Sequence, residues 1–209
     1  MNTLAYSSQK IETVGPKIEE KIREEVGAPA PLAYEVEDGG ANKASVGSVL
    51  GDIAGALLGG GTNQLYHLHF NLQQPRPAHL QVSVDRQGVG SYVGLLLYSA
   101  PLSKPVGGEV NLEDPKSFSN SKFTGDANAS ERLNAQGDLI KRANKFARTE
   151  SNVGGLKLTI KRCCKIVPQD GGGSLLVIST LPRPTKMGFS ATVDAKEFFD
   201  LARMVEAAL

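Results

Sequence analysis

The sequence predicts an α+β fold, with helices packed on one side of one or more antiparallel sheets. The expected order is helix, three strands, helix, two to three strands, helix, after an N-terminal amphipathic helix. Three observations carry this. Several short runs place apolar residues at every second position, short loops join those runs, and the intervening stretches repeat apolar residues every third or fourth position. With 209 residues, 40% hydrophobic and 22% charged, the chain can bury one sizeable core or two small ones.

Residues 7–26 form the first helix, because Ile11, Val14, Ile18, Ile22 and Val26 share a face opposite a run of glutamate, lysine and arginine. Gly15-Pro16 is a point where it would restart, and Gly27 to Pro31 ends it. Asp38 to Asn42 reads as a further loop. From Ala44 to Leu58 the glycines Gly47, Gly51, Gly55 and Gly59 keep a four-residue spacing. On a helix this is one smooth stripe for close packing on a sheet or on another copy of the chain; the competing readings are a flexible loop and membrane contact.

Leu65 to Leu72 and Ala78 to Asp85 alternate apolar and polar residues and make two half-buried strands, joined by Gln73 to Pro77. Ser91 to Tyr98 is a more apolar third strand of the same meander. Residues 99–127 read as a long connection with one short strand near Gly108 to Leu112. A helix over about 128–148 follows, with Leu133, Ile140, Ala143 and Ala147 on one face and Leu139 and Phe146 flanking it. Leu156 to Val167 and Ser174 to Leu181 are strands, and Asp194 with Glu197 opens a final helix whose stripe is Phe198, Leu201, Ala202, Val205 and Leu209.

Residues 1–43 are thus an N-terminal helical arm and linker, and 44–209 an α+β domain. That domain is either one core or two lobes, 44–98 and 128–209, joined by 99–127. Over 44–209 the element order resembles that of type III secretion chaperones and related small α+β binding modules, a resemblance of order and not of motif.

A formal net charge of +1 gives no global field that would draw nucleic acid or an anionic membrane. No apolar run reaches the ~18 residues of a spanning helix, and Met1 to Lys10 carries no secretory signal, so a cytoplasmic location is expected. Cys163 and Cys164 are neighbours that a strand would send to opposite faces, which makes a disulfide between them geometrically poor.

Two chemistries rest on particular residues. His67, His69 and His79 lie on the polar face of one hairpin; a symmetric loop places Asn71 across from His79 and His69 across from Gln81, making His79 a diagonal neighbour of His69. Three imidazoles with water would make an open zinc site, with zinc the one cofactor the sequence suggests. Equally, histidines on a solvated strand face need no ligand to explain them. Lys157, Lys161 and Lys165 on one strand face, with Lys141, Arg142 and Lys145 nearby in sequence, would form an anion-binding patch, or simply a solvated face. The chain has no tryptophan and no aromatic residue on that strand face, so base stacking is unsupported. Dinucleotide, P-loop and serine-hydrolase motifs are absent.

The leading expectation is a non-enzymatic interaction or scaffold module, self-associating or binding a protein partner through its helices or a sheet edge, with no catalytic residue assigned. The alternatives are a zinc-dependent enzyme built on His67, His69 and His79, and an RNA- or lipid-headgroup-binding protein using strand 157–165.

Overall fold

The computed structural model describes residues 5–7, 11–42, 63–87, 90–113, 121–147, 150–153, 156–159, 162–180, 183–185, 188–192 and 195–209. The expected glycine-striped helix, with Gly47, Gly51, Gly55 and Gly59, lies outside them, as do Lys161 and Asp194. Along the chain run β1 (Ala5–Ser7), α1 (Ile11–Val26), β2 (Tyr34–Asn42), β3 (Asn63–Leu72), β4 (Ala78–Gln87), β5 (Gly90–Leu102), β6 (Val110–Glu113) and β7 (Lys122–Gly125). Then come α2 (Ala127–Asn134), α3 (Gly137–Ala147), β8 (Glu150–Val153), β9 (Leu156–Thr159), β10 (Arg162–Pro168), β11 (Ser174–Thr180), β12 (Arg183–Thr185), β13 (Gly188–Thr192) and α4 (Ala195–Ala208).

The class is α+β. One antiparallel sheet runs in the order β2-β3-β4-β5-β11-β10-β6-β7, and β1 pairs with the start of β5 as a ninth strand. Strand alternation sends Leu68, Phe70, Leu80, Val82, Leu96 and Tyr98 to one face, where they are buried with Ile166, Leu176 and Ile178 from the other half of the sheet. The four described helices add Val14, Ile18, Leu133, Phe146, Phe198 and Leu201 to the same cluster. Among the described residues, one hydrophobic cluster runs from Val14 in the first helix to Leu209.

The N-terminal helix belongs to that core rather than standing away from it, since Val14, Ile18 and Ile22 are each 0% exposed. It begins at Ile11, with Ser7 in β1, and continues through Pro16 without restarting. It ends on Gly27, whose φ of 69° and the Ala28 N–H to Arg23 C=O bond of 3.1 Å make a Schellman stop. The segment expected as a loop at 38–42 is instead the end of edge strand β2, with a register shift between Asp38 and Ala41.

The helix expected over 128–148 is two helices. Asp126 caps α2 by accepting from Ala129 N–H at 2.9 Å, and Asn134 ends it with its side chain turned to the backbone of Phe123. The restart at Gly137 changes the helical phase, so Leu139 and Phe146 are buried while Ile140 is only half-buried. Likewise the long strand expected at 156–167 is β9 and β10, with β9 pairing β8 in a separate hairpin. At the C-terminus, α4 buries the expected stripe of Phe198, Leu201, Ala202, Val205 and Leu209. Its last turn is tied down by Glu206, which pairs with Arg76 and accepts from Ser103 N–H at 3.0 Å. No described helix is long and apolar enough to cross a membrane.

Candidate functional site: a histidine row on the sheet face opposite the described helices

No described helix lies on the opposite face of the sheet, where β3 and β4 carry His67, His69, His79, Gln81 and Ser83. The register sets Asn71 across from His79 and His69 across from Gln81, the pairing a symmetric hairpin requires. It also makes His69 the centre of a diagonal. On its β2 side, Glu37 Oε2 lies 2.9 Å from His69 Nε2; on its β4 side, His79 Nε2 lies 3.3 Å from His69 Nδ1. The rings of His69 and His79 overlap with their planes inclined by 29° and centroids 5.3 Å apart.

Proton positions follow from the carboxylate. Ionised Glu37 only accepts, so His69 holds its hydrogen on Nε2, and in the neutral ring Nδ1 is left as an acceptor facing His79. Burial, and then the charge of nearby His69, hold the His79 imidazole below the usual histidine range. His67 is engaged separately, its Nδ1 lying 2.8 Å from the Ser83 hydroxyl and 3.1 Å from the Gln81 amide nitrogen. The three rings thus form a row, with His67 and His69 centroids 6.2 Å apart, but two of them share one contact and the third faces elsewhere. Among the described residues, no group of three or more histidine, cysteine, aspartate or glutamate side chains is arranged to hold a metal ion.

Glu37 was missed as a site residue because its segment is acidic and runs into the glycine pair at 39–40. The available signal was the alternation Tyr34-Glu35-Val36-Glu37, a four-residue strand pattern at the limit of recognition.

Among the described residues, the basic side chains stand on three different elements. Lys165 projects from β10 on the face opposite the described helices, since its neighbours Cys164 and Ile166 point into the core. On the helical side, Arg142 pairs with Asp200 at 3.3 Å and Lys141 with Asp138 at 3.1 Å, and Lys145 lies on the same helix, α3. The sheet stands between Lys165 and α3. Lys157 sits on β9 across from Asn152, in the separate hairpin.

Cys163 is exposed and Cys164 buried, both as free thiols on opposite faces of β10. Burial, with a smaller contribution from Cys163, pushes the Cys164 thiol up to about 12, which leaves it unreactive.

Comparison with known proteins finds no matching family model, no matching curated protein and no matching solved structure.

Proposed function

We propose that the protein is a non-enzymatic interaction module that self-associates, with the face of the sheet opposite the described helices meeting a second copy. One observation supports this reading above the others. Leu97, Val167, Leu175 and Val177, from the three neighbouring strands β5, β10 and β11, lie half-buried on the face opposite the helices.

An antiparallel sheet with one face in water alternates core-facing apolar residues with solvent-facing polar ones. Here the central strands carry aliphatic side chains on the second face as well. Aliphatic side chains on a sheet's second face suit an interaction site, here with Lys165 across from Val177 and with Ser99 and Ser179 set among them, and a patch present on every copy suits a self-complementary two-fold contact. Gln81 across from Leu97, and His79 across from Ser99, border the strip and would supply its polar rim.

The test is the solution mass of the full chain by light scattering over a wide concentration range, repeated for Val177→Lys and Leu97→Lys. Mass should rise with concentration for the parent chain and stay monomeric for the variants, with unchanged circular dichroism. A parent chain monomeric throughout, or assembly indifferent to both lysines, would overturn the reading.

A further inference from the structure

We propose that His69 and His79 form a two-histidine chelate for a divalent transition-metal cation of the zinc class, with Glu37 orienting the first ligand. This goes beyond the self-association reading and does not depend on it.

The separation of the two nitrogens is the first argument. His69 Nδ1 and His79 Nε2 are 3.3 Å apart, long for an N–H donor bond, whose usual length is about 2.9–3.0 Å. Two nitrogens each about 2.0–2.1 Å from a tetrahedral zinc are themselves about 3.3 Å apart. The pair is therefore spaced for a shared cation better than for a shared proton.

The second argument is the carboxylate. Histidines that bind metals almost always donate their other ring N–H to a carboxylate or carbonyl, which fixes the tautomer and makes the ligand nitrogen more basic. Glu37 Oε2, 2.9 Å from His69 Nε2, occupies that place, and the nitrogen it leaves free is the one facing His79. Both histidines stand on paired strands, β3 between β2 and β4, so the backbone beneath them is held by ladders on either side.

Binding needs only a shift of tautomer. His69 keeps its hydrogen on Nε2 and gives the Nδ1 lone pair to the cation. His79 gives the Nε2 lone pair and carries its hydrogen on Nδ1. Two imidazoles suit zinc, copper(II) or nickel rather than magnesium or calcium. With no third protein donor converging among the described residues, water fills the remaining positions and the cation exchanges readily. His67 is left out of this pair: its Nδ1 faces Ser83 and Gln81, and among the described residues no third histidine, cysteine, aspartate or glutamate converges with His69 and His79.

The experiment is calorimetric titration of the chelator-treated full chain with zinc chloride, together with ring-nitrogen NMR of its three histidines. Zinc should bind stoichiometrically and shift His69 and His79 while leaving the His67 ring unmoved. Affinity should fall at least tenfold in His69→Ala and in His79→Ala, and by about 10- to 100-fold in Glu37→Gln, the range for loss of an orienting carboxylate. His67→Ala should bind as the parent does. No saturable binding by the parent chain would overturn the proposal. So would binding that survives the His69→Ala, His79→Ala double variant, or a zinc-induced shift of His67 equal to the other two. The NMR readout uses the unmodified chain, so it decides the matter even where a variant fails to fold.

Discussion

Gly15 in α1 lies directly beneath the ring of Tyr34 in β2: a Cβ built on Gly15 would be 2.5 Å from Tyr34 Oη and 3.1 Å from its Cζ. The tyrosine ring also packs on Phe70, with centroids 5.1 Å apart and planes inclined by 37°. This contact seats the first helix on the edge of the sheet, and it explains a glycine within the helix. Gly15→Ala should therefore lower stability by about 1 kcal/mol net, overpacking of about 1–3 kcal/mol being partly offset by alanine's better helix propensity. Urea denaturation would measure it, and the loss should shrink in a Tyr34→Leu background.

A second contact sets where α2 stops. The side chain of Asn134 accepts from Phe123 N–H and donates to Phe123 C=O, both at 2.8 Å, standing in for a strand beside β7. Asn134→Asp keeps the acceptor and turns a carboxylate oxygen toward the Phe123 carbonyl. It should cost about 1–2 kcal/mol in chemical denaturation, and Asn134→Ala about 1 kcal/mol.

Glu206 makes folding sensitive to acid. Burial alone would raise its pKa, but bonds from Ser103 and the Arg76 guanidinium outweigh that and hold the carboxyl below its usual range. Between the folded value and the ordinary value of about 4.3, the unfolded chain binds more protons, so stability rises with pH across that window. The contribution is complete above the ordinary value and lost as pH falls through the folded one. Thermal melts from neutral to acid pH should show a shallower acid decline for Glu206→Gln than for the parent chain.

The vicinal cysteines should react unequally. Iodoacetamide at mildly alkaline pH should modify the exposed Cys163 alone, as read by peptide mass spectrometry, and reach Cys164 only after denaturation. Modification of both in the folded chain would contradict the burial of Cys164.

The histidine hairpin was legible because a five-residue loop and strict alternation leave one sensible register, which brings His79 to the diagonal of His69. Glu37 was not, since an edge strand presents charge to solvent and its period-two signal is short. The helix break at 135–136 was hidden for a different reason. Leu133 and Ile140 are seven apart and keep the helical period across it, while the stop comes from Asn134 bonding to a strand that is near only in the fold. The separation of Lys165 from Lys141, Arg142 and Lys145 depends on which side of the sheet α3 packs, and strand periodicity does not carry that information.

The most direct measurement is methyl-resolved NMR of the full chain at increasing concentration. The expected result is shifts confined to Leu97, Val167, Leu175 and Val177 on the face opposite the described helices, with Ile18, Ile22, Leu133 and Leu201 on the helical side unmoved. Methyl positions that ignore concentration, or that move first on the helical side, would contradict a self-associating sheet face.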